Sequence, residues 1–340
     1  MRRYTPLLLT AFLAAFFAVL GTVYMASYAD KNGPRPEKSI AVYTTMPAEQ
    51  ASLLSQEYEK THRIRVEFKT MSSDELSARL KKETEKPKAD LVIAGRRVMA
   101  PAAAEGAFVP YDSEAADSVP HTLKSDDGAW VGIWYDPIVF CVNSDYLMTM
   151  PRIPATWKEL AAYPDIRLGM TDFLAADAPQ KLMFTLMAEY GEAETFRMLA
   201  ELHPKVVQYV KYLSTPVRMA GMGEVDLSIA VQSETLRYVN QGYPLKIIYP
   251  TDGTAYLLTC MGLLKEESTE ARAFMDWMLS DEAQLVLQRE NQFYIPANQA
   301  LLAYKMLAGK DLTLFEQQPE FSKAQRQFYL DRWLKNIRFQ

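Results

Sequence analysis

Soft metal ligands are scarce in this 340-residue chain, which has two cysteines, Cys141 and Cys260, and three histidines, His62, His121 and His203, with no C-x-x-C or H-x-x-x-H spacing. That supply is too thin for a structural zinc site and argues against a metalloenzyme. Positive charge is not in excess either. Thirty-seven Lys plus Arg face 42 Asp plus Glu, a formal net charge of −5, so no general basic surface exists to neutralise a phosphate backbone, and nucleic acid is not an expected partner. Any anionic ligand has to be small and locally held. The motifs G-x-S-x-G, H-E-x-x-H, G-x-G-x-x-G and the P-loop are all missing, and the histidines sit beside Thr61 and Arg63, after Pro120 and before Pro204, which read as surface positions. Neither an enzyme nor a bound cofactor is expected. Apolar residues are plentiful: 49% hydrophobic against 23% charged excludes disorder as the main state, and the length suits roughly two domains.

The N-terminus carries an address. Arg2 and Arg3 precede Pro6 to Ala29, 24 residues without a charge, the order of an export signal, so the rest of the chain is expected in the periplasm. Ser27 and Ala29 suit cleavage after Ala29. The apolar run is also long enough to span a bilayer, so a cleaved signal and a retained inner-membrane anchor both remain open for residues 1–29. No cysteine lies near it, which excludes a cysteine-linked lipid anchor. Residues 30–38, with Gly33, Pro34 and Pro36, read as an extended linker.

From Ser39 onward strands and helices alternate. Ser39–Tyr43 and Ala89–Ala94 are apolar strand patterns, Ile64, Val66 and Phe68 alternate with charged residues, and Ala51, Leu54 and Tyr58 recur at helical spacing. Ser73 is placed to cap a helix. Trp130–Asn143 is strand-rich but interrupted at Pro137, while Thr156 and Glu159 form a capping box. Helical patterns cover Gln180–Tyr190 and Glu192–Leu202, Thr215 with Pro216 reads as an N-cap followed by proline at the first helical position, and strands are expected at Asp226–Val231, Leu245–Tyr249 and Ala255–Leu264. The remainder is mostly helical. This alternation is α/β and implies a parallel, doubly wound sheet.

The order of these segments resembles a known family. I-A-V-Y-T-T-M-P-A-E-Q, A-D-L-V-I-A-G, A-A-A-E-G-A-F-V-P-Y-D-S, G-I-W-Y-D-P-I-V-F-C-V-N, G-E-V-D-L-S-I-A-V, Y-P-T-D-G-T and A-R-A-F-M-D-W-M-L-S-D-E-A-Q together resemble the extracellular solute-binding proteins of ABC importers, in the branch with ferric-ion, phosphonate and phosphosugar binders. The resemblance implies a two-lobed periplasmic-binding-protein type II fold with a hinge of two crossing strands. One lobe would hold 39–134 plus 254–340 and the other 135–253. It further implies a monomer that delivers a small solute to an ABC permease, or, as in phosphoglycerate-type regulatory relatives, a membrane-anchored sensing subunit that serves a histidine kinase.

Ligands of open α/β sheets sit outside the carboxyl ends of strands, at helix N-termini. The candidate ligand-binding residues are therefore Tyr43, Thr44 and Thr45 after the first strand, Arg96 and Arg97 after Gly95, and Asp172 after Leu168–Met170. Ser214, Thr215 and Arg218 at a helix start, Gln232 after Val231, and Asp252 and Thr254 in the T-D-G-T turn complete the set. Hydroxyls and guanidinium groups in that set suit a small anionic solute, phosphorylated or carboxylated. Ferric-ion members resemble one another in using two neighbouring tyrosines where this chain has Val231 and Gln232, which disfavours iron. Cys141 and Cys260 lie in similar strand patterns near the two crossings; a disulfide between them and two free buried thiols are both compatible with that placement.

Overall fold

The structure, a computed structural model, describes residues 38–149 and 152–339. The expected export segment and most of the linker lie outside the described residues. Strand β1 (Ser39–Thr44) leads into helix α1 (Ala48–His62), which buries Ala51, Leu54 and Tyr58. Strand β2 (Arg65–Thr70) is followed by helix α2 (Ser73–Glu83), whose cap is Ser72, not Ser73; the Ser72 hydroxyl accepts from the Glu75 N–H at 3.3 Å. Strand β3 (Leu91–Gly95) runs without a loop into helix α3 (Arg96–Ala104). Both β2 and β3 pair with β1 in parallel.

Strand β4 (Val131–Asn143) is buried along all 13 residues and passes through Pro137 without interruption. Its ladder changes partner at that point. Up to Pro137 it pairs with strand β9 (Tyr256–Leu263), and from Ile138 with β7 (Leu227–Val231). A proline is tolerated where one ladder ends, because the missing N–H has no fixed acceptor to satisfy. The next N–H, of Ile138, reaches the Ala255 carbonyl at 2.9 Å.

Beyond β4 come α4 (Trp157–Ala162), β5 (Leu168–Thr171), α5 (Asp177–Tyr190), α6 (Glu192–Leu202), β6 (Val206–Val210), α7 (Ser214–Gly221), β7, α8 (Gln232–Asn240) and β8 (Leu245–Ile248). After β9 follow α9 (Thr269–Met278), α10 (Asp281–Arg289), β10 (Ile295–Pro296), α11 (Leu302–Leu307) and α12 (Lys323–Trp333). The sheet order is β2-β1-β3-β9-β4-β7-β5-β6. Only its outer pairs are parallel: β3–β9, β9–β4 and β4–β7 are antiparallel. The all-parallel expectation fails in the middle because β4 and β9 join the two halves directly and not by helical crossovers. Thr156 caps α4 as expected, its hydroxyl accepting from the Glu159 N–H at 3.1 Å. The other half of the box is redirected, since the Glu159 carboxylate accepts from the Ala155 N–H at 2.7 Å.

Each half has its own core. The first gathers Ile40, Val42, Leu54, Tyr58, Phe274 and Trp277, the second Phe140, Trp157, Leu160, Phe173 and Leu182. Tyr135 and Tyr256 belong to the first core, Ile138 and Ala255 to the second, so the chain crosses between lobes at 136–137 and again at 255–256. These crossings fall one to three residues from the expected boundaries at 134/135 and 253/254. A larger difference is the tail. Phe315, Leu330, Trp333 and Ile337 pack in the second core, with Trp333 4.8 Å from the Phe173 ring and 5.5 Å from Tyr209, whereas the whole of 254–340 was expected in the first lobe. Cys141 and Cys260 are buried free thiols. The disulfide reading gives way to the free-thiol one because Cys260 sits in the first core and Cys141 in a satellite cluster under α7.

Candidate functional site

Two cavities open where the lobes meet, each of about 210 Å³. Thr45, Leu257 and Thr259 line both, so they form a wall between two compartments of one cleft. Alternation along the extended segment sets Thr44 apart from Tyr43 and Thr45, and packing then separates the latter two. Thr44 is fully buried; its hydroxyl donates to the Ile93 carbonyl at 2.8 Å and accepts from the Met46 N–H at 3.0 Å. Tyr43 donates to Glu83 Oε2 at 2.9 Å, with the Arg79 guanidinium 5.3 Å over its ring. Both are structural. Thr45 alone of the three faces the cleft.

The first compartment is basic. Arg96 and Arg97 open α3 at the end of β3, and both line it. Arg96 places its guanidinium 5.4 Å over the Trp130 ring, and its Nε is buried without a partner. Arg97 donates to Asp177 Oδ2 at 3.0 Å, which ties the first lobe to the first residue of α5 in the second. One turn along α5, Lys181 Nζ donates to the carbonyls of Gln318 and Pro319, both at 3.1 Å, and to Glu320 Oε1 at 2.7 Å. Burial pulls the Lys181 pKa down, and the Glu320 carboxylate opposes it. Gln318–Phe321 form part of the wall together with Arg326 of α12. The Arg326 pKa is lowered, first by burial and then by the Arg97 charge, and its Nε too is buried without a partner. Four cations thus border this compartment against two carboxylates, Asp177 and Glu320. Guanidinium groups with unused N–H donors in a partly dry cavity suit an oxyanion.

The second compartment carries no Lys, Arg or His in its lining. Its charged groups are Asp136 at the crossing of β4 and Glu234 on α8. Asp136 accepts from the Ser233 N–H at 2.9 Å and from the Ser233 hydroxyl at 2.5 Å. Burial pushes its carboxyl up to about 7, against the pull of those two hydrogen bonds. Glu234 is paired with Arg237.

The remaining candidates lie outside both compartments or serve the fold. Asp172 Oδ1 accepts from the Leu174 N–H at 2.8 Å and holds its own turn. Helix α7 begins at Ser214 with no side-chain cap, so Thr215 is not the N-cap. Leu213 reaches the second compartment, and Ser214, Thr215 and Arg218 reach neither. The fold therefore does not bring Ser214, Thr215 or Arg218 into the cleft beside Thr45. Arg218, 42% exposed, lies 3.6 Å from Glu224 on the surface. Gln232 is fully buried, donating to the Leu307 carbonyl and accepting from the Tyr249 hydroxyl, both at 2.8 Å. Asp252 caps α4 through the Trp157 N–H at 3.1 Å and accepts from the Tyr190 hydroxyl. Thr254, fully buried, donates to the Ile138 carbonyl at 2.5 Å and fastens the crossing.

Comparison with solved structures places this fold among the periplasmic binding proteins. The periplasmic binding protein AfuA from Actinobacillus pleuropneumoniae, with exogenous fructose-6-phosphate bound, is 20% identical over 89% of this chain and all of its own, with a TM-score of 0.68. Iron-bound HitA from Pseudomonas aeruginosa is 18% identical over 87% of this chain and 98% of its own, also at 0.68. An uncharacterized protein of Haemophilus influenzae is 28% identical over 288 residues, 81% of this chain and 79% of that protein. Residues 86–317 match the model of the bacterial extracellular solute-binding proteins, and the chain belongs to that family.

Proposed function

We propose that this protein captures a small anionic solute, phosphorylated or carboxylated, in the interlobe cleft and delivers it from the periplasm to an ABC permease. The observation that carries the anionic reading is the cation excess of the first compartment, with the Nε atoms of Arg96 and Arg326 buried and unpartnered. Buried donors without acceptors are costly in a native fold, and a bound oxyanion satisfies them. Contributions from both lobes, Arg96 and Arg97 on one side and Arg326 on the other, make the anion a bridge that favours closure over an open cleft. The membership of the family supports the transport role. Iron is not the reading favoured here. The resemblance to ferric-ion binders implies that Val231 and Gln232 replace their tyrosine pair, and the Gln232 amide is already engaged on both sides.

Calorimetric titration of residues 30–340 with inorganic phosphate, phosphate monoesters and small carboxylates tests this. At least one anion should bind, and Arg96→Gln should weaken it roughly 10- to 100-fold, the equivalent of about 1.5–3 kcal/mol for a lost hydrogen bond to a charged group. Unchanged affinity in Arg96→Gln would place the ligand elsewhere.

A further inference from the structure

The second compartment has chemistry of the opposite sign, and the proposed anion leaves it unexplained. Asp136 is 6% exposed, and among the described residues it has no ion-pair partner; its only donors are the N–H and hydroxyl of Ser233. A carboxylate taken out of water without a counter-charge is expensive to keep. Trp134 and Tyr294, stacked at 5.6 Å with 16° between their planes, add aromatic surface to the lining, and aromatic faces attract cations.

From these residues we infer that the second compartment receives a protonated amine, and that the solute is a small zwitterion with its anionic group among Arg96, Arg97, Lys181 and Arg326 and its ammonium beside Asp136. This rests on the proposed anionic reading and deepens it. Thr45, Leu257 and Thr259 line both compartments, so the two adjoin, and the inferred solute extends from one into the other past these residues. A solute lacking the amine leaves Asp136 without a counter-charge in the closed cleft. One with the amine supplies three N–H donors to a carboxylate that retains acceptor capacity. The high Asp136 pKa fits a group waiting for a positive partner, since an ammonium at hydrogen-bond distance favours the ionised form.

Matched pairs of ligands on the full-length protein, solubilised in detergent, provide the test. Ethyl, propyl and butyl phosphate are titrated beside their ω-amino counterparts, with glycerol 3-phosphate as a hydroxyl-bearing control, and butyrate beside γ-aminobutyrate as a carboxylate pair. At least one amino compound should bind tenfold or more tightly than its match, and in Asp136→Asn that ratio should fall toward one. Equal affinities within every pair overturn the inference and leave the anionic reading standing. Tighter binding of glycerol 3-phosphate than of every amine also overturns it, assigning the compartment to hydroxyl groups. Binding of no anion at all would remove the anionic reading, and the zwitterion with it.

Discussion

Asp136 has a cost at the residue scale that pH reveals. Its carboxyl is held at about 7 in the fold, above the ordinary 3.8, by burial. The native state therefore keeps this proton where the unfolded chain has lost it, so the associated stability is complete below about pH 4 and disappears as the pH rises through 7. Asparagine cannot ionise, and it can accept the Ser233 N–H while donating to the Ser233 hydroxyl. The melting temperature of Asp136→Asn relative to the parent should rise between pH 4 and 8 in the absence of ligand; a flat difference across that range would mean that Asp136 is not the titrating group. Single residues also show how much of the site the sequence disclosed. Thr45, Arg96 and Arg97 follow directly from the rule that ligands sit at strand ends, and all three line the cleft. Thr44 and Thr45 are not distinguishable by that rule, because only the facing of consecutive side chains tells them apart. Lys181, one turn into a helix, and Arg326, on a helix 145 positions further along, carry no local signal at all; tertiary packing brings them to Arg96.

Helix α12 is the element that matters most to the cleft and was least readable. Its apolar residues are few and its sequence is mostly polar, so apolar periodicity marks neither the helix nor the surface that receives it. Trp333 and Leu330 anchor it in the second core, and this anchorage holds Arg326 at the cavity wall. Trp333→Ala should destabilise the fold by about 3–5 kcal/mol, as expected for a fully buried large aromatic, and lower the melting temperature. Arg326→Gln, by contrast, should leave the melting temperature nearly unchanged and weaken anion binding. Thermal denaturation followed by calorimetry on both variants separates the two effects, and a large loss of stability in Arg326→Gln would make that residue a structural support. The other elements were legible wherever a buried face repeats: β1, α1, β7 and α6 fall within a residue or two of their sequence patterns. Strand direction was not. Parallel and antiparallel buried strands share the same apolar run, and Pro137 marks a break in Val131–Asn143 without saying that the strand continues there on a new partner.

At the scale of the whole molecule, two cores are joined by β4 and the start of β9, and ion pairs cross the cleft between them. Arg97 meets Asp177 at 3.0 Å beside the basic compartment, and Lys323 meets Asp74 at 2.8 Å. Such exposed pairs contribute little by themselves; a bound anion touching both lobes contributes more, because it satisfies donors that closure would otherwise bury unpaired. Family membership and fold define a solute binder, and the basic compartment gives that general class its chemical sense. The central claim is that the solute's anionic group sits among Arg96, Arg97, Lys181 and Arg326. Native mass spectrometry of the protein purified from its host compartment tests it most directly, with the parent and the Arg96→Gln/Arg326→Gln double variant prepared side by side. The parent should carry a small adduct whose fragmentation releases phosphate or carbon dioxide, and the double variant should have lost it. An adduct without an acidic group, or one that persists undiminished in the double variant, would contradict the account.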